Sequence, residues 1–366
     1  MIQNTQIVDS KSSIDLFLTT LLSDIETVLP EDKFIAVDTE FIRENLDIPL
    51  LCLVQIATPN YCFVIDPLAV DISFLIKVFS DKNIIKVFHS AGQDIDVLYY
   101  SNIRNIENIY DTQLYEMLLS TKEYISYKSI VARYLKKNID KNYVVSDWQR
   151  RPLSKEQLQY SIGDVVYLRE VYKKQRQKLV DLGRIDWLKP EMEQLSGNNV
   201  SHYREKDFET AKKLSEWVGN RAKERNIDMQ NIADERAIKR ICRKGQPYIQ
   251  KMLKYRGLIN KDFRDFLLFA KDIIPDNHFD NSKQDLTTHA LKLVLEMCSQ
   301  KSNIAPAIIA NSDDLENFIK TYESNPSSLR IMKDWRYDIF GKYAQSFLDE
   351  KLSITLKNRC VEFAER

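Results

Sequence analysis

The chain has 366 residues, enough for two or three domains at roughly 150 residues each and for several cores that need no disulfide or structural metal. Charge is balanced, 53 Lys and Arg against 53 Asp and Glu, which excludes a basic histone-like protein and an acidic disordered tail. The 44% hydrophobic and 29% charged content is that of an ordinary water-soluble globular protein. The five scattered cysteines include no Cys-x-x-Cys pair and argue against a disulfide framework or a thiolate zinc site. The start shows no secretory pattern, and no run reaches the ~18 apolar residues that span a bilayer. A cytoplasmic protein without a membrane span is expected.

In chain order, residues 34–37, 51–57, 61–65 and 84–88 read as strands rich in Ile, Val, Phe and Tyr. Residues 71–79 and 92–100 read as helices. Only Thr58-Pro59-Asn60 separates the second and third strands, so an antiparallel hairpin is expected there. The later strand–helix–strand units imply parallel pairing in the same sheet. The expected first domain is therefore α/β, a mixed sheet flanked by helices, over 1–200. Within it 154–182 is a long helix, with Ser154 as N-cap and Gly183 just past its end. Polar stretches at 196–201 and 275–283 set off two further regions that read as all-α, 205–278 and 285–366. Net charge is −5 over 1–200, +5 over 201–280 and zero over 281–366, so the parts are candidates for different jobs.

Four acids stand out by position. Asp38 and Glu40 follow an apolar strand, and spacing i, i+2 points both carboxylates to one face. Asp94 opens the helix after the fourth strand, and Asp164 shares a helix face with Tyr160 four residues earlier. Singly, each has a bland reading as a cap, a first-turn acid or a solvent-facing residue. Together they form a carboxylate set without histidine or thiolate, which suits Mg²⁺ or Mn²⁺. Two such ions ~3.5–4 Å apart can drive phosphodiester cleavage. Asp96, two residues beyond Asp94, points away and is assigned to the surface.

The surroundings of these acids resemble the ribonuclease D family of the DEDD superfamily of 3′→5′ exonucleases, over essentially the whole chain. Ala36-Val37-Asp38-Thr39-Glu40-Phe41 is similar to the first exonuclease motif and Phe88-His89-Ser90-Ala91-Gly92-Gln93-Asp94 to the second. Tyr160-Ser161-Ile162-Gly163-Asp164 is similar to the third in its Tyr form. Asp66-Pro67-Leu68, Asp111-Thr112-Gln113, Asp147-Trp148 and Arg151-Pro152-Leu153 match supporting segments. The resemblance implies a ribonuclease H-like fold and two divalent ions, Mg²⁺ or Mn²⁺. Asp38 would bridge them, Glu40 and Asp164 would complete the water-activating site, and Asp94 the other. Tyr160 would orient the attacking water. His89 and Gln55 stay outside the catalytic set, since a structural hydrogen bond explains either as well. The implied activity is 3′→5′ trimming of RNA, tRNA precursors above all, by a monomer. A DNA exonuclease using the same carboxylates, or an inactive RNA-binding copy, is the alternative.

Region 208–275 resembles the HRDC domain (helicase and ribonuclease D C-terminal), from Trp217-x-x-x-Arg221-x-x-x-Arg225 onward. Residues 236–261 hold nine Lys or Arg and no acid. Arg240, Arg243, Lys244, Lys251, Lys254 and Arg256, interleaved with Tyr248 and Tyr255, form a candidate nucleic-acid surface. Region 285–366 takes the place of a second, divergent HRDC-like helical domain, expected to close a clamp beside the site.

Overall fold

The computed structural model describes residues 4–26, 28, 33–42, 49–139, 147–196, 199–227, 229–233, 235–254, 260–274, 286–322 and 324–365. Six strands, β1 (Thr5–Val8), β2 (Phe34–Ile42), β3 (Leu50–Ala57), β4 (Cys62–Ile65), β5 (Ile85–Phe88) and β6 (Ile109–Asp111), form one sheet in the order β1-β4-β3-β2-β5-β6. β2, β3 and β4 are antiparallel neighbours, and β1–β4, β2–β5 and β5–β6 are parallel. This is the mixed sheet that the hairpin and crossover patterns predict. The hairpin turn is tied down by the Asp24 carboxylate in helix α1 (Lys11–Glu26), which accepts from Thr58 Oγ1 at 2.5 Å and Asn60 Nδ2 at 2.6 Å. The edge strands β1 and β6 are too short to show a period of their own.

The helices that position the cleft are α2 (Leu75–Ser80), α3 (Gly92–Tyr100), α4 (Thr112–Glu116), α5 (Tyr127–Leu135) and α6 (Lys155–Asp181). α2 starts later than its apolar pattern, because the Asp71 carboxylate holds a local turn by accepting from Ser73 N at 3.0 Å. α6 begins in a capping box: Ser154 Oγ accepts from Gln157 N at 3.1 Å and Gln157 Oε1 accepts from Ser154 N at 2.9 Å. It ends as Gly183 turns to φ 65°. The chain entering α6 is fixed by Arg151, whose guanidinium forks onto the Asp66 carboxylate at 2.5 and 2.7 Å and reaches Cys52 O at 3.0 Å. Two of the supporting segments, those of Asp66 and Arg151, are thus partners that clamp α6 to the sheet.

Beyond α7 (Lys189–Leu195) the helices α8 (Asn199–Arg225), α9 (Glu235–Lys254) and α10 (Lys261–Ile273) close a separate core of Leu214, Val218, Ile241, Ile249, Phe266 and Leu267. α9 breaks at Gly245 (φ 61°, ψ −157°), a conformation open to glycine alone at low cost. There Gln246 turns inward and donates to Ile274 O at 2.6 Å, closing the end of α10.

The last region holds α11 (Leu286–Ser302), α12 (Pro306–Ile309), α13 (Ser312–Thr321), α14 (Asp334–Arg336) and α15 (Lys342–Leu348). Its apolar residues join the core of the sheet domain. The expectation of an all-α region is corrected at the end: β7 (Leu352–Lys357) and β8 (Cys360–Glu365) pair as an antiparallel hairpin. Leu352, Ile354, Val361 and Phe363 alternate on one face, and Phe363 stacks on Tyr343 at 5.2 Å. No helix among the described residues is long and apolar enough to cross a membrane.

The last region is held to the sheet domain through an aromatic and ionic seam. Trp335 stacks on Trp187 at 4.8 Å, donates from Nε1 to Trp187 O at 2.9 Å, and lies under the Arg336 guanidinium at 4.1 Å. Arg336 and Arg330 share the Glu191 carboxylate at 2.7 and 3.3 Å. Trp335→Ala is expected to cost about 3–5 kcal/mol, the range for deleting a buried large aromatic, read from the midpoint of a denaturant titration. A midpoint within error of wild type would mean that the seam contributes no stability.

Candidate active site

Each acid reaches the cleft for a separate local reason. β2 leaves its buried stretch at Asp38, so Asp38 and Glu40 emerge on one face at the open end of the sheet. The ladder slips between Glu40 and Phe41, which ends regular pairing beside the site. β5 ends at Phe88, and the turn into α3 passes through Ser90 at φ 65°. That turn is held by the Asp111 carboxylate, which accepts from the backbone N–H groups of Ser90, Ala91 and Gln113 at 2.9, 2.9 and 2.8 Å. Asp94 then sits in the first turn of α3 and accepts from Thr39 Oγ1 at 2.6 Å. Tyr160 and Asp164 come from one face of α6 and line the cleft together.

These groups line a cleft of about 890 Å³ together with His89 and Tyr127. One carboxylate oxygen from each of Asp38, Glu40 and Asp164 lies within 4.8 Å of the other two. Asp94 stands beside this trio, coupled electrostatically to Asp38 and Glu40. Loss of water and mutual repulsion push the carboxyls up: Asp38 well above its ordinary range, first by burial and then by Asp164, and Asp94 likewise by burial and Asp38. Glu40 is pushed up to about 10 by burial, Asp38, Asp164 and Asp94. Burial, then Asp164, Glu40 and Asp38, raises the Tyr160 phenol, so it stays a neutral donor. Crowded carboxylates that resist ionising are a donor set fitted to hard divalent cations, which neutralise them and prefer oxygen ligands.

All five residues singled out from the motifs thus meet in one cleft. Asp96 is half-buried and outside the cleft lining. His89 has both ring nitrogens engaged by the protein, Nδ1 with Thr112 Oγ1 at 2.9 Å and Nε2 with Ile125 O at 3.1 Å. Gln55 is fully buried in register with Asp38, and neither amide atom has a hydrogen-bond partner among the described residues. In the basic segment, Lys251 and Lys254 are exposed and Tyr248 packs against the second core. The Arg240, Arg243 and Lys244 side chains, and Tyr255 and Arg256, lie outside the described residues. Sequence reasoning missed Thr39, Asp111 and Tyr127 as parts of the site. Thr39 and Asp111 lie within quoted motifs, whereas nothing local distinguishes Tyr127.

A family described as 3′-5′ exonuclease matches residues 18–180, the span that builds this cleft. The chain is similar to a ribonuclease D of Sphingobium indicum, 31% identical over 92% of this chain and 96% of the relative. The chain belongs to the ribonuclease D family. A ribonuclease D of Zymomonas mobilis is 32% identical over 90% of this chain and 92% of its own length. The crystal structure of Escherichia coli RNase D superposes with a TM-score of 0.64, 19% identity, and 95% and 99% coverage of the two chains. That likeness extends the shared fold into the helical C-terminal part. As a ribonuclease D-like 3′→5′ exoribonuclease, the protein is a phosphodiester hydrolase.

Proposed function

We propose that the protein is a cytoplasmic monomer that trims RNA 3′ ends, tRNA precursors above all, in a reaction that needs two divalent ions and releases 5′-mononucleotides. The observation that carries this reading is the trio Asp38, Glu40 and Asp164, with ligand atoms mutually within 4.8 Å, flanked by Asp94 and Tyr160 in one cleft. Asp38, Glu40, Asp94 and Asp164 would hold Mg²⁺ or Mn²⁺, which supplies a nucleophile at neutral pH and neutralises charge on the scissile phosphate. The chain's own groups do the rest. Thr39 fixes the Asp94 carboxylate, and the neutral Tyr160 hydroxyl orients the attacking water. The choice of RNA leans on the family, and the E. coli protein of like fold is an exoribonuclease involved in structured RNA processing.

The deciding experiment gives purified protein Mg²⁺ or Mn²⁺ and matched RNA and DNA oligonucleotides blocked at either end. Stepwise release of 5′-mononucleotides from RNA with a free 3′ end, abolished by chelation, is expected. Preference for DNA would make it a DNA exonuclease, and binding without cleavage an inactive RNA-binding protein.

We assign the body 205–278 as an HRDC-like domain and 285–366 as its divergent counterpart, with the basic segment of α9 contacting RNA beyond the cleft. Replacing Arg240, Arg243 and Lys244 by Glu should raise KM for tRNA-sized substrates and flatten their salt dependence, because each lost phosphate contact lowers the slope of log K against log salt. A short single-stranded oligonucleotide, held by the cleft, should be cut as before. An unchanged KM and salt slope on the large substrate would reduce the segment to a solvated face.

A further inference from the structure

α6 carries Asp164 near its middle, and that turn is not left to its own hydrogen bonds. The hydroxyl of Tyr127, the first residue of α5, is directed into it. It meets the main-chain carbonyls of Asp164 and of Gly163, the latter at 3.2 Å. In an unbroken α-helix the N–H of residue 168 belongs to the carbonyl of residue 164. A carbonyl oxygen has two lone pairs, so that of Asp164 can take the Tyr127 proton beside that N–H. The Tyr127 hydroxyl therefore ties down the helix backbone at the turn that bears a carboxylate of the trio.

Tyr127 is itself held from the other wall of the cleft. Its ring meets the edge of His89 at 5.5 Å. Two residues earlier Ile125 O accepts from Gln113 Nε2 at 3.1 Å and pairs with His89 Nε2. His89 Nδ1 is tied to Thr112 Oγ1, which donates to Phe88 O at 3.0 Å. A continuous set of contacts thus runs from the β5–α3 turn, the segment that delivers Asp94, through Ile125 and Tyr127 to the backbone of Asp164.

We propose that Tyr127 is a positioning residue that sets the backbone of Asp164, so that its carboxylate meets Asp38 and Glu40 at the spacing a divalent cation requires. The inference rests on the metal-dependent reading above. A core tyrosine would need only its ring in this place. Here the hydroxyl meets the α6 backbone directly, so removing one oxygen while keeping the ring packing isolates the effect.

The test is Tyr127→Phe beside wild type, Asp38→Asn and Tyr134→Phe. The last removes another α5 hydroxyl, one that bonds Glu116 Oε2 at 2.8 Å away from the cleft. Mn²⁺ affinity is measured by titration without RNA, and kcat and KM are measured separately. Loss of a group that orients a metal ligand typically costs about 10- to 100-fold in metal affinity or activity. Tyr127→Phe should weaken Mn²⁺ by that order and lower kcat at limiting Mn²⁺, with KM for RNA unchanged and activity recovering as Mn²⁺ is raised. Tyr134→Phe should lower only the thermal midpoint. If Tyr127→Phe keeps wild-type Mn²⁺ affinity and kcat, the hydroxyl is packing and the inference falls. If wild type binds Mn²⁺ no better than Asp38→Asn, the metal-dependent reading itself falls, and this inference with it.

Discussion

Asp38→Asn should abolish nucleotide release, by roughly 1,000-fold or more as expected for one member of a cooperating catalytic set, and should leave the protein folded. Asp38 is coupled electrostatically to each of the other three carboxyls: it acts on Glu40 and Asp94 and is acted on by Asp164. The same substitution should stabilise chelated protein at alkaline pH. A carboxyl whose pKa is raised by folding costs nothing below the ordinary carboxylate range, where it is protonated in both states. As pH rises past that range the unfolded chain ionises freely, while the folded one must either hold its proton or ionise against burial and Asp164. Stability therefore falls from about pH 4 upward, towards the value near 10 that Glu40 reaches. Asn at position 38 removes one such group and eases Glu40 and Asp94. In EDTA the midpoint of Asp38→Asn should exceed that of wild type, by more at pH 8 than at pH 6. Added Mn²⁺ should raise the wild-type midpoint, since binding only the native state stabilises it, and should move the variant far less. Near-wild-type turnover by folded Asp38→Asn would remove the metal assignment.

The sequence announces the centre of this protein better than its edges, for reasons that differ between elements. β2 and β3 are buried on both faces, so they show as unbroken apolar runs, and the acids that end β2 stand out against them. The capping box at Ser154 and the glycine after α6 are local signals for a local structure. The C-terminal hairpin had its period-2 alternation in plain view, yet its turn lacks the usual Asn-Gly pair: Asn358 and Arg359 both adopt positive φ, 51° and 63°, which an arginine seldom does. Arg151 and Asp66, 85 residues apart, could be read only as two unrelated segments until the fold joined them. Tyr127 is the extreme case. Beside the cap residue Ser126 it looks like any first-turn aromatic, and only tertiary packing sends its hydroxyl to α6. Gln55 departs from the backbone-satisfying role its sequence setting suggests, since its amide has no hydrogen-bond partner among the described residues and lies outside the cleft lining.

Tyr160→Phe separates a hydroxyl that works from a ring that merely fills space. The ring is half-buried and lies 6.0 Å from Trp148, contacts that phenylalanine keeps. The hydroxyl is held neutral by burial and by Asp164, Glu40 and Asp38. Such a phenol cannot serve as the base that takes a proton from water, but it can fix the direction of an attacking oxygen. Its loss should lower kcat by ~10- to 1,000-fold, the scale for one positioned catalytic hydrogen bond. Because the hydroxyl is neutral across the working range, the loss should be of similar size from pH 6 to pH 9. Mn²⁺ affinity and KM should move little, because every carboxylate remains, and this distinguishes Tyr160 from Tyr127, whose replacement should act through metal affinity. If Tyr160 only packs, kcat should stay within a few-fold and the change should appear as about 0.5–1.5 kcal/mol of lost stability. Measuring kcat, Mn²⁺ affinity and the unfolding midpoint on one preparation decides between them: a normal kcat with a lowered midpoint would leave the attacking water without Tyr160 as its guide.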